Sequence, residues 1–206
     1  MLSSTKNSAK FLIYSKLGSG EAKIDPPVKG REDQEALWEA VRAGVIDVVA
    51  SDHSPHPPAE KEEAAGDFWK APAGFCGVET LLPLMLTQVF QGRLTLKRLA
   101  EILCEGPARA FGLWGVKGAV MPGFDADLVV VDLEREWTVR RENLHSKSKV
   151  TPWDGWKVKG YPALTLVRGE IVAEDGEPIS STRIRLGEID REGRSLKPRS
   201  GNATPR

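Results

Sequence analysis

Asp52, His53 and His56 lie together in Ser51-Asp52-His53-Ser54-Pro55-His56-Pro57-Pro58. A carboxylate and two imidazoles are groups that ionise or bind metal near neutral pH. An aspartate can bind a divalent cation and also accept a proton from water activated beside it. His56, four residues further on and beyond a proline, suits a substrate carboxylate or carbonyl, and His53 suits a metal ion. One aspartate beside one histidine is still not a metal site, because structural zinc takes about four protein ligands and catalytic zinc about three. The third histidine, His145, is far along the chain. The plain alternative for Asp52 is a turn or helix-cap residue.

The elements around these residues follow an α/β pattern. Ile46–Ala50 is apolar apart from Asp47, as a strand covered on both faces is. It is expected to deliver Asp52 at its carboxyl end, where parallel α/β sheets place their chemistry. The prolines at 55, 57 and 58 keep the following loop out of helix. Before the strand, Arg31 to Gly44 predicts a helix with Ala36, Leu37, Ala40 and Val41 facing inward and Gly44 as its stop. Earlier still, Asp25 precedes Pro26 and Pro27, which hold it in an extended loop. Phe11–Tyr14 fits either a strand or one helical turn.

Downstream, Ala59 to Asp67 predicts a solvated loop or helical turn suited to a lid. Ala71-Pro72-Ala73-Gly74-Phe75-Cys76-Gly77 is a small-residue loop. Its glycines would let backbone approach a small polar ligand, and it is equally readable as a flexible turn. Val78–Gln91 reads as a buried helix, Thr95 N-caps another running to Cys104, and Pro107 opens a short one ending at Gly112. From Gly118 short β-type runs take over: 126–132, 136–139, and a hairpin over 163–172 turning at Arg168-Gly169. The expected organisation is an α/β body over residues 1–117, a β module over 118–179, and a polar tail over 180–206 whose composition predicts disorder.

Composition narrows the function class. Lys+Arg and Asp+Glu balance at 29 each, so no basic excess points to nucleic acid. No apolar run is long enough to cross a bilayer, and the first residues lack the apolar core of a secretory signal, so a cytoplasmic location is expected. Cys76 and Cys104 are far apart in no metal-ligand spacing, and both are expected to be free core thiols.

Taken together, the motifs resemble the carboxyl-terminal half of the cyclic amidohydrolases, the dihydroorotase, allantoinase and dihydropyrimidinase group. The resemblance runs through Lys23–Lys29, Arg31-Glu32-Asp33, Ser51–His56, Glu60-Lys61 and Ala71–Gly74. It continues through Gly77–Thr80, Pro107-Ala108-Arg109, Lys117-Gly118 and Gly123–Leu128. It implies the C-terminal part of a (β/α)8 TIM-type barrel plus the C-terminal strands of a small β-sandwich. It makes Asp52 the metal-binding and proton-transferring residue, and His56, Asp25, Ala73 and Gly74 substrate-binding residues. His53 receives no ligand role. Zinc is the implied cofactor and a small cyclic amide the implied substrate. The family's first-strand His-x-His pair and its mid-barrel lysine and histidines have no counterpart here. The expected partner is therefore an upstream half or a second copy, and a non-catalytic truncated homologue is the alternative to an enzyme. Asp25 departs from the asparagine usual in dihydroorotases and would repel a carboxylate-bearing substrate. Ser51–Pro55 and Gly66–Ala71 lean toward allantoinase, whereas His56, Gly77–Thr80 and Leu82–Leu84 lean toward dihydroorotase. Dihydroorotase-like hydrolysis is placed first.

Overall fold

The computed structural model describes residues 23–62 and 67–179. The Phe11–Tyr14 segment and the polar tail from Ser180 lie outside the described residues. Two compact units are present. The first collects Met1–Leu99 and Leu133–Gly160, and the second Ala100–Asp132 and Tyr161–Arg206.

In the first unit, helix α1 spans Arg31–Arg42. The Asp33 carboxylate accepts the Gly30 N–H at 3.2 Å, satisfying a donor at the helix start. Glu32 and Asp33 in the first turn and Arg42 in the last complement the helix dipole. Gly44 ends the helix at φ 78°, a left-handed conformation that suits glycine. Only part of the expected inward face is covered: Val41 is buried, whereas Leu37 is 53% exposed. The Arg98 guanidinium ties down the helix exit by donating to the carbonyls of Val41 and Ile46.

The strand expected over Ile46–Ala50 is not formed: no strand is assigned to these residues. A strand needs a ladder of main-chain hydrogen bonds to a neighbour. Among the described residues no backbone partner is found for positions 47–50. The apolar pattern therefore did not by itself secure a strand here. Helix α2 follows at Pro58–Glu62: Pro58 opens it instead of keeping the chain out of helix, since a proline is tolerated in a first turn, and the helix covers the start of the loop or helical turn expected over Ala59–Asp67.

Helix α3 is Leu81–Phe90. It begins three residues later than the apolar pattern suggests, because Gly77–Thr80 form a turn in which the Thr80 hydroxyl donates to the Gly77 carbonyl at 3.2 Å. Within α3 the Thr87 hydroxyl donates to the Pro83 carbonyl at 2.7 Å and accepts the Lys159 N–H at 3.0 Å. Gly160 permits this approach, since a Cβ there would stand 2.8 Å from Leu86 Cδ1. The core of this unit includes Val41, Leu86, Val139, Val150 and Val158.

Helix α4 spans Leu96–Ala100, a π-helical turn spans Glu101–Glu105, and α5 spans Gly106–Ala110. The Thr95 hydroxyl accepts the Arg98 N–H at 3.1 Å, as its capping position predicts. Instead of a break before Pro107 there is a widened turn. Proline has no N–H to offer the Leu103 carbonyl, and an i→i+5 pattern absorbs the loss. Cys76 is buried at 3% exposure, as expected, but Cys104 is on the surface, which corrects its assignment to the core. Its thiol pKa is nevertheless raised by partial burial, which disfavours the thiolate.

The sheet has four strands in the order β1-β2-β3-β4: Leu128–Thr138, Lys157–Val167, Glu170–Glu174 and Glu177–Pro178. The two runs expected over 126–132 and 136–139 are one strand, because Leu133-Glu134-Arg135 contains no turn former. In the second unit β2 and β3 pair antiparallel around Arg168-Gly169, both at positive φ, with a bulge opposite Thr165/Leu166. Lys117 bridges Asp125, at 2.8 Å, and Asp127. Burial lowers the pKa of the Lys117 ammonium, but its bonds to the two carboxylates outweigh this and raise it overall.

Candidate active site

Three segments of the first unit converge through backbone contacts. The Gly74 N–H donates to the Lys23 carbonyl at 2.9 Å, which brings the Asp25 loop to the small-residue loop. The Ser54 N–H donates to the Phe75 carbonyl at 3.3 Å, which brings in the Asp52 loop. Two glycines set the spacing between these last two. A Cβ on Gly77 would lie 2.6 Å from the Ser51 carbonyl oxygen, and one on Gly74 would lie 2.4 Å from the Ser54 carbonyl oxygen. Real Cβ atoms do not approach so closely, so the 51–54 and 74–77 chains touch main chain to main chain.

Behind the small-residue loop, Phe75 packs edge-on against Trp153 with centroids 6.3 Å apart, and the Cys76 N–H donates to the Val150 carbonyl at 2.8 Å. Lys61 is 2% exposed and donates from Nζ to the Pro72 carbonyl at 3.1 Å. A buried ammonium is costly unless it is hydrogen-bonded, so Lys61 acts as an internal strut for this loop. Lys23 donates to the Trp69 carbonyl at 2.8 Å and holds the turn that precedes it.

Asp52 is exposed, at φ 46°. Among the described residues its carboxylate makes no hydrogen bond or ion pair. His56 is half-buried, and its Nδ1 lies 3.1 Å from Glu60 Oε2. The Ser148 hydroxyl donates to the His56 carbonyl at 2.7 Å. For a ligand, Nε2 is thus the His56 ring nitrogen that Glu60 leaves available. Ala73 is half-buried and Gly74 buried, whereas Asp25 is exposed. Asp25, Asp52, His56, Ala73 and Gly74 are therefore carried on three loops joined to one another in one unit.

Two further histidines contribute to this assembly without any signal in residue spacing. His53 Nδ1 accepts the backbone N–H groups of Gly77, at 3.1 Å, and Val78, at 3.3 Å. His145, remote in sequence, meets Glu79. The Glu79 carboxylate accepts the His145 N–H at 3.0 Å and the Ser146 N–H at 3.2 Å, and lies 2.9 Å from His145 Nδ1. Burial raises the Glu79 pKa, but these bonds and the nearby imidazole outweigh it and hold the carboxyl below its ordinary value.

The Amidohydrolase family model matches residues 16–172. The chain belongs to the amidohydrolase family. This amidohydrolase chain is 47% identical to L-hydantoinase of Paenarthrobacter aurescens over 156 residues, 75% of this chain and 34% of that protein. It is 41% identical to the dihydroorotase of Pyrococcus furiosus over 161 residues, 78% of this chain and 36% of that protein. Among solved structures, L-hydantoinase (dihydropyrimidinase) from Arthrobacter aurescens matches with a TM-score of 0.76 and 43% identity, covering 82% of this chain and 39% of that one. The chain thus spans about a third of the length of the curated relatives it matches. The relatives named here are hydantoinases and a dihydroorotase, and they give no support to allantoinase, which was weighed from the sequence.

Amidohydrolases are typically metal-dependent. Among the described residues, however, no group of three His, Cys, Asp or Glu side chains is placed to hold a metal ion. A catalytic zinc takes about three protein ligands. Asp52 can offer one carboxylate, and the described residues by themselves do not fit a complete metal centre.

Proposed function

We propose that this chain supplies the Asp52 loop and the Ala71–Gly77 loop to a cyclic-amide hydrolase. The observation that carries the reading is the main-chain contact of these two loops. It places an unengaged carboxylate on a segment adjoining the backbone of Ala73 and Gly74. Water adds to the ring carbonyl and the ring C–N bond breaks. Asp52 takes the proton from the attacking water and returns it to the departing nitrogen, so the carboxylate is regenerated. Ala73 and Gly74 offer backbone groups to the ring, and His56 offers Nε2.

The substrate we favour is an uncharged ring of the hydantoin or dihydropyrimidine type. The exposed Asp25 carboxylate repels an acidic substrate, and Glu60 already engages the His56 ring, offsetting the positive charge it would present to a carboxylate. The second reading, dihydroorotate hydrolysis, is favoured by the 41% identity to a dihydroorotase. Parallel ring-opening assays on hydantoin, dihydrouracil and dihydroorotate, with the wild type and Asp25→Asn, separate the two. The proposal expects neutral rings to be preferred and Asp25→Asn to raise dihydroorotate turnover. A wild type that opens dihydroorotate faster than either neutral ring supports the second reading.

A further inference from the structure

His53 has no task in the chemistry just described. Its ring nevertheless sits at the seam between the two loops. Nδ1 accepts from two successive backbone N–H groups, those of Gly77 and Val78, at 3.1 and 3.3 Å. One residue before Asp52, the Ser51 carbonyl is pressed against Gly77 so closely that a Cβ there would stand 2.6 Å away. Asp52 is therefore bracketed on both sides by contacts to the same short segment. Asp52 itself has φ 46°, a left-handed conformation uncommon outside glycine, though one that aspartate tolerates better than most residues.

We propose that His53 is a positioning residue for Asp52. Its Nδ1 lone pair holds the 51–53 turn against Gly77-Val78 and so fixes where the Asp52 carboxylate stands. The geometry also assigns the tautomer. A proton on Nδ1 would face two N–H donors, so the clasp requires a neutral ring with its hydrogen on Nε2. With Nδ1 occupied in this way, His53 cannot ligate metal through that nitrogen. The catalytic part of the inference rests on the proposed hydrolase reading, whereas the clasp does not.

The test compares His53→Asn with His53→Leu. The asparagine carbonyl oxygen stands about where Nδ1 does and can accept both N–H groups, whereas leucine keeps bulk and offers no acceptor. Amide exchange at Gly77 and Val78, the Asp52 Cα and Cβ chemical shifts, and kcat and KM for ring opening are measured in each. His53→Leu is expected to exchange both amides about tenfold faster, the equivalent of one net hydrogen bond. It is also expected to move the Asp52 shifts away from left-handed values, and to lower kcat with KM little changed. His53→Asn is expected to stay near wild type in all of these. If His53→Leu does not fold, His53→Gln, whose oxygen lies one bond further out, serves as the displaced-acceptor variant. Unchanged exchange and unchanged Asp52 shifts in the acceptor-deficient variant would overturn the inference, as would equal loss of kcat in His53→Asn and His53→Leu. A wild-type chain with no ring-opening activity defeats the hydrolase reading, and the exchange and shift data still decide the clasp.

Discussion

Replacing Gly74 by alanine tests whether the site depends on close main-chain contact. At Gly74 two costs combine. Its φ of 129° is a region L residues rarely enter, and the new Cβ would stand 2.4, 2.6 and 2.7 Å from Ser54 O, Cβ and Oγ. The backbone cost is about 1–3 kcal/mol. The contact cost, by analogy with overpacked cores, is also about 1–3 kcal/mol. Alanine recovers about 0.4–1 kcal/mol by restricting the unfolded chain. The net destabilisation is therefore about 1–5.6 kcal/mol, centred on about 3 kcal/mol, a substantial part of the ~5–15 kcal/mol typical of a domain. Two controls separate the contributions. Gly44 has φ 78° with nothing within 4 Å of its would-be Cβ, so Gly44→Ala carries the backbone cost alone. Gly77→Ala meets the Ser51 carbonyl at 2.6 Å without a positive φ, so it carries the contact cost alone. With urea slopes of about 1–3 kcal/mol per molar, Gly74→Ala should lower the unfolding midpoint by about 1–2 M, and each control by less. A Gly74→Ala midpoint equal to that of Gly44→Ala would refute the close contact of the two loops.

Lys61→Met removes the ammonium that donates to the Pro72 carbonyl. It should cost about 1–3 kcal/mol in urea unfolding, because that carbonyl loses a buried partner. Glu79→Gln tests the Glu79–His145 hook through pH. The carboxyl pKa is lowered on folding, so its stabilisation is present above the ordinary value of 4.5 and is lost as pH falls through the lower folded value. Stability curves of wild type and Glu79→Gln should therefore differ at neutral pH and converge below about 4.5, and a constant gap would contradict the assignment. Asp127→Asn weakens the links to Lys117 and to the Arg168 N–H, so it should lower the thermal midpoint, with the loss shrinking in acid. After dialysis against micromolar zinc the chain should carry well under one equivalent, since no group of three His, Cys, Asp or Glu side chains among the described residues is placed to hold the ion. One tightly held zinc per chain would show that other residues complete a site.

Much of this site was legible in the sequence because its chemistry is local. Asp52 and His56 share one proline-rich loop. The small residues at 71–77 were expected to let backbone approach a small polar ligand, whereas the close approach that Gly74 and Gly77 make is to the main chain of residues 51–54. Local capping was equally readable, as at Thr95 and Gly44. What spacing could not reveal were contacts fixed by tertiary packing. The Glu79–His145 hook joins residues 66 apart, and the His53 clasp joins residues 24 and 25 apart. The inward faces assigned to α1 and to residues 46–50 assumed a neighbour to cover them. Leu37 at 53% exposure, and the fact that none of residues 46–50 is fully buried, show that apolar patterning records which residues are apolar and not what covers them. Cys104 failed for a related reason, since a residue type often buried took a surface position on a π-helical turn.

The central claim is that the Asp52 carboxylate moves the proton in ring opening. It is tested most directly by the turnover of neutral cyclic amides by wild type and Asp52→Asn, compared at matched folded fraction. Asparagine keeps the shape of the side chain but cannot take up the proton. Ring opening that is lost in Asp52→Asn, by about a hundredfold or more, with an unchanged unfolding midpoint is the expected result. Equal turnover by the two proteins would contradict the account.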